Sequence, residues 1–77
     1  MQFIYSKQAI KFLSKQPKPV RKRIVMAIES LPRGDVRRLE GTDNFRLRVG
    51  DFRVIFSKSG EVVDIIKIGN RGQVYRR

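Results

Sequence analysis

Apolar side chains recur along this chain with two different periods, and the switch between them divides it. Gln2 to Tyr5 is a short apolar-rich run that reads as a first strand. Ser6, just beyond it, is of the type that caps a following helix. From Lys7 the apolar positions Ala9, Ile10, Phe12 and Leu13 fall at helical spacing among Lys7, Lys11, Ser14 and Lys15, so a short helix is expected to end before Pro17. Pro17-Lys18-Pro19 interrupts the pattern, and Pro19 suits the first turn of a second helix because the N–H it lacks has no partner there. Val20, Ile24, Ala27, Ile28 and Leu31 form that helix's inward stripe. Residues 31 to 43, with Pro32 and Gly34 among them, are expected to form one long connection anchored by Leu39.

From Asn44 the period becomes two. Phe45, Leu47 and Val49 alternate with Arg46 and Arg48, and after Gly50-Asp51 the alternation resumes as Phe52, Val54 and Phe56 against Arg53, Ile55 and Ser57. Gly-Asp between two such runs suits a two-residue hairpin turn, so the strands are expected to pair antiparallel. Aromatic and aliphatic side chains then share one face, and three arginines with no acid share the other. The plain reading of those arginines is the solvated side of a half-buried sheet. Like charges opposite one another repel, however, and an ordinary antiparallel face intersperses both signs. A face of one sign calls for a polyanion to complete it. Ser59-Gly60 turns the chain again, and Val62 to Ile68, apolar on both faces, is expected to be a central strand. Gly69-Asn70-Arg71-Gly72 should then leave the sheet, with Gln73 to Arg77 as a short tail. The order strand, helix, helix, three strands predicts an α+β fold: a single small domain over residues 1–77, with two helices on one face of a mostly antiparallel four-stranded sheet.

Composition narrows the chemistry. Eighteen Lys and Arg against seven Asp and Glu give a net charge of +11 over 77 residues, which favours polyanions and makes nucleic acid the leading partner class. The chain has no cysteine and no histidine. Disulfides and thiolate metal sites are thereby excluded, as are imidazole ligands and imidazole bases. No apolar stretch approaches the roughly 20 residues of a membrane span, and no basic segment followed by an apolar one marks export. A soluble, cytoplasmic protein without cofactor or membrane partner is expected.

Arg46-Leu-Arg48-Val-Gly-Asp-Phe-Arg53-Val-Ile-Phe, followed by Ile68-Gly69-Asn70-Arg71 and by Val74-Tyr75, resembles the RelE/ParE superfamily of type II toxin–antitoxin toxins. The likeness covers nearly the whole chain. It takes in the Ser6-Lys-Gln-Ala-Ile-Lys-Phe-Leu13 start, the Pro-containing joint between the helices and the Leu39-Glu-Gly41 step before the hairpin. The resemblance implies a ribosome-dependent endoribonuclease, an mRNA interferase of the RelE branch. Such an enzyme cuts message in the ribosomal A site by attack of the RNA 2′-hydroxyl on the adjacent phosphate, without a metal. It also implies a cognate acidic antitoxin as partner in a hetero-oligomer, the free toxin being a monomer.

Carried over by position, Arg53 and Arg71 resemble the family's phosphate-clamping arginines. Tyr75 resembles the aromatic that orients the nucleotide or moves a proton. Arg46 and Arg48 stand where RelE itself has lysines, and because arginine stays protonated they are suited to binding and stabilising charge but not to abstracting the 2′ proton. The set expected to touch RNA is Arg46, Arg48, Arg53, Lys22, Arg23, Arg71 and Arg76, with no metal ligand among them. The alternative for Arg53 is a structural pairing with Asp51 or Asp64. The alternatives for the whole protein are a ParE-like inhibitor that binds DNA gyrase without cutting anything and an inactive nucleic-acid-binding relic.

Overall fold

The computed structural model describes residues 1–70. The elements are β1 (Gln2–Tyr5), α1 (Lys7–Ser14), α2 (Lys18–Glu29), β2 (Asp35–Arg38), β3 (Phe45–Val49), β4 (Phe52–Ser59) and β5 (Val62–Asn70). Ser6 caps α1 as its chemistry predicts, accepting from the Ala9 N–H at 3.1 Å. Pro19 lies in the first turn of α2. Ala9 and Leu13 of α1 and Ile24 and Ile28 of α2 are buried, whereas Ile10 is exposed and Leu31, although buried, lies beyond the end of α2.

The sheet runs β1-β5-β4-β3-β2, with β1 parallel to β5 and every other pair antiparallel. Among the described residues it has five strands, not four. The additional strand, β2, lies inside what sequence alone presents as a connection, because Asp35-Val-Arg-Arg38 carries a single apolar residue and follows a Pro and a Gly. Register explains it: Val36 sits opposite Leu47 and thereby joins the core face. A second difference concerns β5, which continues through Gly69 and Asn70 instead of leaving the sheet at Gly69. A third is the turn after β4, which is Gly60-Glu61, with Ser59 still paired to Val62.

Both helices cover one face. Leu47, Val49, Val54, Phe56, Val63, Ile65 and Ile68 from the sheet meet Ala9, Leu13, Ile24, Ile28 and Leu31 in a single core. Each fully buried aliphatic side chain there contributes about 1.5–3 kcal/mol relative to exposure. Phe12 of α1 meets Phe52 of the hairpin edge to face at 5.9 Å, and Phe45 stacks on Phe56 at 5.4 Å.

A bulge in β5 decides which of its side chains reach the open face. Phe56 is opposite Ile65 and Ile55 opposite Lys67, so Ile66 is the extra residue and the inward-outward alternation changes phase there. Ile65 and Ile68 both face the core, while Lys67 and Gly69 face away from the helices. The outer edge of the bulged segment is tied to the start of α1: Ser6 Oγ donates to the Ile66 carbonyl at 2.7 Å. The Gln8 amide donates to the Ile68 carbonyl and accepts from the Ile68 N–H, both at 2.8 Å. Where β1 stops, a side-chain amide thus continues its ladder.

Tyr5 has a buried hydroxyl without a hydrogen-bond partner among the described residues. Burial first, and the Glu29 carboxylate second, raise its pKa above the ordinary value of 10.0. A raised folded-state pKa supplies stability that is complete below the unfolded value and lost as pH rises through the folded one. Tyr5→Phe is therefore expected to match or exceed the wild type in thermal stability at neutral pH. It should also lose less stability than the wild type as pH is taken above about 10, read by circular-dichroism melts.

Candidate functional site

The face away from the helices is where the charge collects. Pairing places Asp35, Arg48, Arg53 and Gly69 in one row across β2 to β5, and Arg37, Arg46, Ile55 and Lys67 in the next. The row of Arg48 and Arg53 lies beside the hairpin turn. The expectation of three arginines on this face holds, but two features of it change. Arg37 and Lys67 add to the positive charge, and Asp35 supplies an acid where none was expected. All three escape a reading of the sequence because β2 and the phase change in β5 do. Val36 between two charged residues is the one trace of alternation, and it is too short to outweigh the breakers before it.

Arg53 is buried, with 7% exposure, on the central strand. Its neighbour across the ladder is Gly69, whose missing side chain leaves room for the arginine to lie against the sheet. Arg53 Nη1 donates to the carbonyls of Gly50, at 3.3 Å, and Phe52, at 3.2 Å. Those carbonyls, not Asp51 or Asp64, hold it, and they fix its fork beside the hairpin turn. Arg48 stands directly opposite and is exposed.

The turn itself explains Arg23. Gly50 has φ +59 and Asp51 has no positive φ, the pattern of a two-residue turn with the left-handed residue first. A Cβ on Gly50 would collide with the Arg23 guanidinium, whose Cζ would be 3.3 Å away. Arg23 reaches this turn from α2 on the helix side, and Arg53 from the open face, so both guanidiniums meet at Gly50. Lys22 is exposed one position earlier on the helix, about 100° round from Arg23, and is not drawn into this group. Arg46 is bound at 2.9 Å by Asp35 and its side chain is only 13% exposed. Arg71, Tyr75 and Arg76 lie outside the described residues. Among the described residues, therefore, Arg46, Arg48 and Arg53 share the open face, Arg23 reaches the same turn from the helix side, and Lys22 joins neither.

Such a face can bind and polarise phosphate. Guanidiniums supply fixed donors and permanent positive charge, but none of them accepts a proton at neutral pH.

The matching family profile is that of the ParE toxin of the type II toxin–antitoxin system parDE, over residues 3–75. The chain belongs to this toxin family. Among its relatives, toxin RelE3 of Methanocaldococcus jannaschii is 26% identical over 84 residues, covering 97% of this chain and 96% of that one. The toxin in the crystal structure of the archaeal RelE–RelB complex from Pyrococcus horikoshii shares 36% of its sequence. It superimposes with a TM-score of 0.79, the match spanning 94% of this chain and 96% of that one. The Escherichia coli RelBE complex matches at 26% identity and a TM-score of 0.64, over 94% of this chain and 98% of that one. Within the family this is accordingly a RelE-type toxin. In the toxin, the charged face and the turn that organises it are parts of one hairpin, and the turn can be tested separately. Gly60 has nearly the same φ, +61, with nothing within 4 Å of an added Cβ. Gly60→Ala should cost only left-handed backbone strain, about 1–3 kcal/mol. Gly50→Ala should cost about the same in denaturant unfolding, with or without Arg23→Ala, because the three atoms nearest the added Cβ belong to the free end of the exposed Arg23 side chain, which can swing aside.

Proposed function

We propose that this toxin is a ribosome-dependent endoribonuclease that cuts message in the A site. The observation that carries the reading is the row in which exposed Arg48 stands opposite preorganised Arg53, with Arg46 held beside them. In the reaction the 2′-oxygen bonds to the adjacent phosphorus, the 2′ proton leaves to a base, and the 5′-oxygen departs and takes up a proton. The products are a 2′,3′-cyclic phosphate and a 5′-hydroxyl. The guanidiniums stabilise the extra negative charge of the pentacovalent intermediate. Arg71 supplies the second clamp and Tyr75 orients the nucleotide or moves a proton, as the family likeness implies. Lys22, Arg23 and Arg76 contribute attraction for the RNA backbone. With arginines where a base would stand, the protein aligns the 2′-oxygen poorly by itself, so the ribosome must present the message in line.

The toxin's partner on this reading is an acidic antitoxin. The neighbours from Pyrococcus horikoshii and Escherichia coli are complexes of this kind, with RelB-type antitoxins. An acidic amphipathic segment offers both what the arginine face needs and a cover for exposed Ile4, Ile10 and Met26. Among the described residues no helix is long and apolar enough to cross a membrane, and the cytoplasm, where ribosomes translate, is the compartment this reading requires.

One observation favours a second reading: the profile that matches describes the ParE toxin. A ParE-like toxin would inhibit DNA gyrase by contact.

Purified toxin added to ribosomes programmed with a defined message should cleave it, and should leave the same RNA uncut when naked, with or without EDTA. Arg53→Ala should lower the rate on the order of 10²–10³-fold, as for a lost oxyanion donor, while the exposed control Lys15→Ala, just after α1, stays near wild type. Because Arg53 also holds the turn, its variant should lose about 1–2 kcal/mol of stability, measured separately. Uncut programmed message together with gyrase trapped on DNA would replace the nuclease reading by the ParE-like one.

A further inference from the structure

The acid on the arginine face has a specific geometry. Asp35 belongs to the row of Arg48 and Arg53, directly opposite Arg48, whereas Arg46 belongs to the next row, directly opposite Arg37. The ion pair at 2.9 Å between Arg46 Nη2 and Asp35 Oδ1 therefore runs diagonally, from one row to the other. Two forces set its direction. Arg37 stands opposite Arg46 with like charge and repels it out of its own row, while Asp35 attracts it into the row that contains Arg48 and Arg53. On the other side of β3 from Asp35, Arg46 stands opposite Ile55, which is only 7% exposed although neither helix among the described residues covers that face. The Arg46 side chain is 13% exposed, with its Nε buried and without a hydrogen-bond partner among the described residues.

The stability of the ion pair does not explain the arrangement. Asp35 is 52% exposed, and pairs this open to water are individually worth little. A carboxylate on a phosphate-binding face also weakens attraction for the ligand. What it supplies is direction and partial neutralisation: it turns Arg46 toward the row of Arg48, on the side of β3 away from Arg53, and offsets part of the positive charge there.

We propose that Asp35 is a positioning residue of the toxin's reaction, which carries the Arg46 guanidinium from the Arg37 row into the Arg48–Arg53 row and so completes a three-arginine clamp on the scissile phosphate. This rests on the nuclease reading. It assigns Asp35 no contact with the proton that moves; its effect passes through Arg46. Removing the acid takes negative charge off the face, so RNA attraction should rise or stay constant while the chemical step slows.

The test is a double-mutant cycle on ribosomes programmed with a defined message, using Asp35→Asn, Arg46→Ala, the pair combined, and Asp35→Glu. Asp35→Asn is expected to lower kcat by about 10- to 100-fold, the range for a catalytic group displaced by an ångström, with KM unchanged or lower. The combined variant should be no slower than Arg46→Ala alone, and Asp35→Glu should recover part of the loss. Melting temperature should move little in Asp35→Asn, and nitrogen-15 NMR should show the Arg46 guanidinium passing from restricted to free rotation. A wild-type rate in Asp35→Asn, or losses that multiply in the combined variant, would overturn the proposal. So would an Arg46 resonance indifferent to residue 35. If the wild-type toxin cuts no ribosome-bound message, the nuclease reading falls and the catalytic role of Asp35 with it. The guanidinium spectrum then still reports separately whether Asp35 holds Arg46.

Discussion

One pairing register, that of β3 with β4, governs both faces of the sheet at once. Because side chains alternate with period two, a slip of one residue would turn Phe52, Val54 and Phe56 to solvent and drive Arg53 into the core. Two things oppose the slip. One is the burial of the apolar set beneath the helices, worth several kcal/mol in aggregate. The other is the two-residue turn, where Gly50 takes a φ of +59 and places Val49 opposite Phe52. The same register sets Arg48 opposite Arg53. The charged face is therefore a by-product of the core's geometry, and a loop sequence could not hold it with equal precision.

A second constraint acts from the other side of the central strand. If β5 alternated without interruption, Ile65 and Lys67 would point the same way and a lysine would enter the core. The bulge at Ile66 removes the conflict by changing phase, which brings Ile68 inward and Gly69 beneath Arg53. A bulge leaves backbone groups unpaired, and here Ser6 and Gln8 supply partners for the Ile66 and Ile68 carbonyls. Two residues of the first helix's start thus support the far side of the site. Their polarity is not decoration on a helix surface.

How much of this can be read from sequence tracks the strength of each local signal. The hairpin is legible because its two apolar runs keep one alternation around a Gly-Asp turn, and the helices because their stripes are framed by Ser6 and by prolines. β2 is not, since a four-residue edge strand with one apolar side chain is stabilised by its neighbour and by little of its own. Missing β2 hides Asp35 and Arg37 together, which is why the face reads as free of acid. Arg53 falls on the open face by alternation alone, but its partner across the ladder, Gly69, is distant in sequence and set there by a bulge that no pattern announces. Arg23 stands out in the sequence for its charge alone; its proximity to Gly50 is a packing relation that no linear pattern expresses.

The distribution of charge also bears on why the face is built from arginine. Arg37 and Arg46 are directly opposed across β2 and β3, as are Arg48 and Arg53 across β3 and β4. Each opposition is unfavourable, and a chain of net charge +11 has little counter-charge to spread against them. A guanidinium tolerates this better than an ammonium, because it is more weakly hydrated, lies flat against neighbours and accepts carbonyls as partners, as Arg53 does. The repulsion that remains is strain shared by the free toxin and relieved by any polyanion that fits. Ligand binding to the folded state alone adds directly to its stability, so an acidic protein segment and an RNA phosphate backbone draw on the same relief. If this face takes both partners as proposed, competition between an antitoxin and message would follow from the fold's own electrostatics, without any conformational switch having to be built in.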